Sequence, residues 1–135
     1  MSKFLDPDNA MGIIRGTTNT LKLTLKDPDH SEEDSEDPFR GDRLLLTGAT
    51  IYFSVKKDTR DRSPLIQKTT AQSSEIAIIA AREGLAEIYL LPADTNRLDV
   101  GRYLYDIWVV MPDGKRHCAV PPSVFEVLSS VTNLL

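Results

Sequence analysis

The sequence predicts an all-β domain built as a two-sheet antiparallel β-sandwich. Short segments in which apolar and polar residues alternate recur at intervals of about ten residues along the chain. Turn residues separate these segments, and almost no stretch shows helical periodicity. Many short strands joined by turns are typical of a sandwich, and a closed barrel is the alternative.

The clearest strand signal lies between Leu98 and Pro112, where both faces carry large apolar groups. One face holds Tyr103, Tyr105, Ile107, Val109 and Met111, and the other holds Arg102, Leu104, Asp106, Trp108 and Val110. Such a strand belongs in the middle of a sheet, with one face in the core and the other at least partly covered. Two arrangements fit this pattern. Trp108 lies either on a contact surface or buried between the sheets.

The other strands are predicted over 13–16, 20–26, 50–57, 65–70, 75–84, 85–91, 116–120 and 123–131. Segment 65–70 is expected at a sheet edge, because it is short, polar and preceded by a proline. Segment 75–84 is compatible with helix or strand, and its β-branched residues and Gly84 favour a strand that closes on a turn.

Three connections have distinct signals. One helical turn is predicted after Pro92, with Asp94 or Thr95 as its cap. Residues 111–115 are predicted to form a hairpin turn in which Gly114 supplies a positive φ. Pro121 and Pro122 are expected to end one strand before the last one begins.

The domain organisation predicted is an N-terminal arm over 1–11 followed by one sandwich domain over 12–135. Between Asp27 and Asp37 the chain has seven acids and no Lys or Arg, and removing them from the net charge of −4 leaves +3 on the rest. This composition predicts a long acidic loop over 27–43. A solvated loop is favoured over a contact with a basic partner, and both are favoured over a calcium site, because the spacing does not match an EF-hand.

Composition also excludes several function classes. The single Cys118 excludes an internal disulfide, and no basic face is dense enough to predict nucleic-acid binding. The first residues do not resemble a signal peptide, and no apolar run is long enough to cross a bilayer. We therefore expect neither a nucleic-acid nor a membrane partner, and a protein made in a cytoplasm.

No pattern predicts catalysis. The two histidines are His30, in the acidic segment, and His117, next to Cys118. Adjacent strand residues point to opposite faces, so His117 and Cys118 are not expected to form a dyad. The glycines form no phosphate-binding loop. The sequence predicts no enzyme, no cofactor and no metal.

The turn before the central strand carries a recognisable motif. Asp99-x-Gly101-x-Tyr103-x-Tyr105 resembles the Asp-x-Gly-x-Tyr-x-Cys signature of immunoglobulin-like domains, with Tyr105 in the cysteine position. The resemblance implies an immunoglobulin-like sandwich without the inter-sheet disulfide. It also implies a tyrosine corner, in which Tyr103 bonds to backbone upstream.

A wider resemblance covers most of residues 13–132. Its motifs are Ile14-Arg15-Gly16-Thr17, the strand from Leu21 to Leu25, Leu46 to Lys56, Leu91-Pro92-Ala93-Asp94-Thr95, Gly101 to Ile107, and the final strand ending at Val131-Thr132. Together they resemble the immunoglobulin-like N-terminal domain of tailed-phage baseplate upper proteins and related small phage structural proteins. The resemblance implies a virion protein that assembles with other virion structural proteins and with copies of itself in a symmetric ring.

Two departures qualify the resemblance. The chain ends after the sandwich, where the baseplate proteins continue into a region that carries receptor-binding modules, and it adds the acidic segment. These departures favour an adaptor, plug or decoration role in a tail, baseplate or neck. The predicted contact residues are Phe4 and Leu5 in the arm, and Leu104, Trp108 and Val110 on the central strand.

The alternative function is a stand-alone ligand-binding module of the carbohydrate type. Exposed aromatic side chains form the stacking surfaces on which such modules hold sugars. The candidates for that surface are Tyr52, Tyr89 and Trp108.

Overall fold

The computed structural model describes residues 10–25, 44–72 and 74–132. Within these ranges eight strands lie in two sheets, with the orders β1-β8-β7-β3-β4 and β2-β6-β5. The strands are β1 (Met11–Ile14), β2 (Asn19–Thr24), β3 (Thr50–Lys56), β4 (Ile66–Thr69), β5 (Ile76–Ala80), β6 (Leu85–Leu90), β7 (Gly101–Val110) and β8 (Arg116–Leu128). The predicted arm contacts Phe4 and Leu5 and the acidic segment Asp27–Asp37 lie outside the described residues.

The all-β sandwich is confirmed, and its topology is immunoglobulin-like. Strands β8, β7 and β3 correspond to the G, F and C strands of that fold, and β2, β6 and β5 correspond to B, E and D. One pairing departs from the antiparallel expectation, because β1 runs parallel to β8, with Met11 opposite Phe125 and Ile14 opposite Leu128.

The core lies between the inward faces of the two sheets. The alternation predicted for β3 and β7 is confirmed, because Ile51, Phe53 and Val55 are buried. The inward face of β7 is buried as well and consists of Tyr103, Tyr105, Ile107 and Val109. The rings of Phe53, Tyr105 and Phe125 pack together, with centroids 5.7 to 6.3 Å apart. Burying side chains of this size contributes about 1.5–3 kcal/mol each before chain entropy is counted.

The tyrosine corner is confirmed. The hydroxyl of Tyr103 donates a hydrogen bond of 2.7 Å to the carbonyl oxygen of Asp99. The ammonium of Lys57 lies 4.5 Å from the centroid of the Tyr103 ring and donates to the carbonyl oxygen of Arg102. These contacts fix the start of β7, which is the strand that carries the candidate site.

Segment 75–84 contains both a strand and a helical turn, the two structures that its sequence allowed. Strand β5 ends at Ala80, and a 3₁₀ turn over Ala81–Glu83 follows. Gly84 ends the turn with a φ of 68°, and a Cβ there would collide with the carbonyl oxygen of Leu25. The prediction of a strand that closes on a turn is therefore confirmed.

The short helix α1 (Pro92–Asn96) follows β6, as predicted, but its cap differs from the expected one. The N-cap is Leu91, and Asp94 acts from the third helical position, where its carboxylate accepts a hydrogen bond of 2.7 Å from the Leu91 amide. Thr95 is fully buried and accepts a hydrogen bond from the Gly16 amide.

Asp94 also forms an ion pair with a buried lysine. The Nζ atom of Lys68 lies 2.8 Å from Oδ2 of Asp94, and the two side chains are 8% and 16% exposed. Lys68 stands opposite Phe53 on the inward side of β4. The pair therefore links the edge of the five-stranded sheet to α1.

The prediction that Pro121 and Pro122 separate two strands is wrong, because β8 continues through them. The pairing of β7 with β8 shifts twice beside the prolines, between Tyr105 and Ile107 and between Ile107 and Trp108. Each shift places an extra residue in β8, which is a β-bulge. Proline has no backbone N–H group to donate to the neighbouring strand. A bulge accommodates this missing donor without ending the strand.

Candidate interaction surface

The outward face of β7 lies on the surface of the five-stranded sheet. Leu104 and Val110 are half-buried, and Trp108 is 38% exposed. The arrangement with Trp108 buried between the sheets is therefore wrong. The three predicted contact residues of this strand lie on one face, whereas Phe4 and Leu5 lie outside the described residues.

A second aromatic residue stands beside Trp108. Strands β3 and β7 pair so that Tyr52 is directly opposite Trp108, and Tyr52 is 37% exposed. These two rings and the side chains of Val110 and Arg116 line a shallow depression of about 410 Å³. We call these four residues the aromatic patch.

The orientation of Trp108 is set by its neighbour on the same face. The indole Nε1 donates a hydrogen bond of 3.1 Å to a carboxylate oxygen of Asp106. The indole N–H therefore already has an acceptor within the chain. An apolar group of a partner can cover the ring without leaving that donor unpaired.

A more polar depression of about 300 Å³ adjoins the aromatic patch. The lining side chains that carry charge or can form hydrogen bonds include Ser54, Lys56, Thr59, Arg62, Gln67 and Asp106, and Leu104 lines it as an apolar residue. We call this site the basic depression, since it holds two cations and one carboxylate. The alternation of side chains along β3 places Lys56 on the outward face, so its position could be predicted from the sequence. Arg62 lies in a loop, and its approach to the sheet has no local sequence signal.

Cys118 belongs to the same face, since it pairs with Trp108 across β7 and β8. Burial, and to a smaller extent the negative charge of Asp106, raise the pKa of its thiol. The thiol therefore stays protonated at neutral pH and is a poor nucleophile. His117 pairs with the inward residue Val109, which agrees with the predicted absence of a dyad.

The outer face of the three-stranded sheet has a different character. Its central rows pair Lys22 with Glu87 and Thr20 with Tyr89. The Tyr89 hydroxyl donates to Glu87, and this bond raises the pKa of the tyrosine. Tyr89 therefore lies on the opposite side of the sandwich from Tyr52 and Trp108, and the three aromatic residues do not form one surface.

The described residues contain no group of three or more potential metal ligands. Within the same residues, no helix is long and apolar enough to cross a membrane.

No protein-family model matches the chain, and no curated protein matches it at a significant level.

Proposed function

We propose that this chain is a structural protein of a tailed-phage or prophage virion, an immunoglobulin-like adaptor or decoration protein of the tail, baseplate or neck. It docks through the aromatic patch onto neighbouring virion proteins, and copies of it occupy equivalent positions in a symmetric assembly. The sequence resemblance to phage structural domains motivates the virion assignment.

The observation that carries the docking proposal is the difference between the two outer faces of the sandwich. The five-stranded sheet presents Trp108 and Tyr52 together, flanked by Leu104 and Val110. The central rows of the three-stranded sheet pair charged and hydroxyl-bearing side chains. Protein contacts concentrate aromatic anchors within an apolar patch that has a polar rim, and the five-stranded sheet fits this description.

The experiment is co-sedimentation with virus particles on a density gradient, using an antibody to detect the chain. We expect the wild-type chain to travel with the particles at a fixed ratio to the other virion proteins. Trp108→Glu should leave the domain folded, as judged by circular dichroism, and remove it from the particles. The matched control is Thr20→Glu, at another exposed position but on the other sheet, which should still co-sediment. A wild-type chain that stays with free protein would contradict the proposal.

The adjacent aromatic rings also favour the second candidate, a carbohydrate-binding module. Tyr52 and Trp108 stand opposite each other and line one depression with Arg116, and Asp106 bonds to the indole of Trp108, so hydrogen-bonding groups lie beside the rings. Trp108 is the single tryptophan of the chain, so its fluorescence reports on this depression directly. Binding of a sugar from an array, with a matching change in Trp108 emission, would support this function. An array without hits would exclude the sugars that it contains.

A further inference from the structure

The basic depression contains two cationic side chains, those of Lys56 and Arg62. Among the described residues, no ion pair or hydrogen bond engages the charged ends of Lys56 or Arg62. Two neighbours are already engaged, since Lys57 donates to Arg102 and Arg60 pairs with Asp58. The depression therefore offers two positive charges to whatever covers this face.

The carboxylate of Asp106 lies at the other end of the depression. It stands opposite Ser54, whereas Lys56 stands opposite Leu104, one row further from the aromatic patch. One of its oxygens accepts the hydrogen bond from Trp108. An incoming acid is therefore attracted to the Lys56 end and repelled from the Asp106 end.

The spacing between the two sites follows from the strand itself. Tyr52 and Lys56 are four residues apart on one face of β3, which corresponds to about 13 Å at the strand rise of about 3.3 Å per residue. An extended segment lying along β3 has the same rise. Its residues four positions apart therefore reach the aromatic patch and the basic depression together.

From these observations we infer that the partner docks an extended protein segment on this face. An apolar side chain of that segment covers the aromatic patch, and a carboxylate four residues away binds between Lys56 and Arg62. The inference rests on the proposed docking function and adds the chemistry of the partner. Charge complementarity selects an acidic segment over a basic one.

The experiment is a selection of random twelve-residue peptides displayed against the immobilised whole chain. Four versions are compared: wild type, Lys56→Gln/Arg62→Gln, Asp106→Asn, and the control Lys22→Gln on the opposite sheet. Circular dichroism verifies that each version is folded. The affinity of one enriched peptide without tryptophan is then measured through Trp108 fluorescence.

We expect the peptides enriched on the wild type to carry Asp or Glu four residues from an aromatic or aliphatic residue. Lys56→Gln/Arg62→Gln should weaken binding about tenfold, since two charge-assisted contacts are lost. Asp106→Asn should strengthen it about threefold, because a repelling charge is removed while the acceptor for Trp108 is retained. Lys22→Gln should have no effect.

Several outcomes would overturn the inference. Enriched peptides without acids, or equal affinity for wild type and Lys56→Gln/Arg62→Gln, would show that the basic depression plays no part, and the docking proposal would still stand. Failure to enrich any peptide would exclude an extended segment as the occupant. A dimer in sedimentation analysis that Trp108→Glu abolishes would identify a second copy of the chain as the occupant instead. The virion proposal is tested separately, by co-sedimentation of the chain with virus particles on the density gradient.

Discussion

The ion pair between Lys68 and Asp94 makes a prediction about stability. Asp94→Asn removes the negative charge and keeps an amide oxygen that can accept the hydrogen bond from the Leu91 amide. The substitution therefore isolates the ion pair from the helix cap. It leaves the ammonium of Lys68 with 8% of its side chain exposed and without its carboxylate partner.

The expected loss follows from this burial. Removing one partner of a buried ion pair costs about 3–5 kcal/mol, because the remaining charge is desolvated without compensation. The Asp94 side chain is 16% exposed and the site lies near the sheet edge, so we place the loss for Asp94→Asn at the lower end, about 3 kcal/mol. Lys68→Met should cost less, about 1–2 kcal/mol, because Asp94 keeps its backbone donor and some contact with water.

The assay is urea unfolding of the four members of the double-mutant cycle, followed by circular dichroism. The variant with both substitutions should be more stable than Asp94→Asn alone, because no unpaired charge remains buried. The coupling energy between the two sites should exceed about 1 kcal/mol. Losses that simply add, or an Asp94→Asn variant within about 0.5 kcal/mol of wild type, would refute this account of the ion pair.

Three further predictions concern the tyrosine corner, a buried phenol and a turn. Tyr103→Phe should lower the free energy of unfolding by about 1–2 kcal/mol, because the bond to Asp99 is lost, and a loss below about 0.3 kcal/mol would contradict the corner's role. Burial raises the pKa of Tyr105, so its contribution to stability is complete below about pH 10 and is lost as the pH rises through the folded-state pKa. Urea unfolding at each pH should therefore show that the free energy of unfolding falls less steeply for Tyr105→Phe than for wild type between pH 9 and 11. Parallel plots of unfolding free energy against pH for the two proteins would disprove this. Gly84→Ala should cost at least about 2 kcal/mol in the same assay, since φ is positive and the added Cβ would collide with the carbonyl oxygen of Leu25. Gly114→Ala is the control and should cost less, because its φ is also positive but the space around it is open.

Local alternation was sufficient to predict the strands with one buried face. In β3 the buried side chains are Ile51, Phe53 and Val55, as the pattern required, because side chains in a strand point alternately to its two sides. Through its resemblance to immunoglobulin-like domains, the motif before β7 predicted that Tyr103 bonds to backbone upstream, and the structure identifies the acceptor as the carbonyl oxygen of Asp99.

Features that depend on pairing between distant segments could not be predicted. Alternation describes both faces of β7 but does not say which one packs against the second sheet, so the exposure of Trp108 remained open until the topology was known. The contact row that places Tyr52 opposite Trp108 depends on the register between β3 and β7. The two residues are more than fifty positions apart in the chain. Lys68 occupies an inward position, where Asp94 forms an ion pair with it. The sequence around either residue does not indicate that contact.

The wrong prediction for Pro121 and Pro122 has a physical reason too. A proline is a reliable break in a regular ladder, but it is tolerated where the neighbouring strand requires no amide donor. The two bulges in β8 provide such positions. The sequence shows the prolines but not the register shift that accommodates them.

These prolines also bear on the solubility of the chain. Over the described residues, β1 pairs with β8 only from Phe125 to Leu128, so the part of β8 that precedes Phe125 is open on that side. An open strand edge is a template for uncontrolled pairing with other chains, and prolines and bulges are the features that natural sheets use to prevent it. Pro121 and Pro122 lie in this stretch, and neither has a backbone N–H group to donate to an incoming strand. These features protect the chain against aggregation through this edge, while the aromatic patch on the face of the sheet stays exposed.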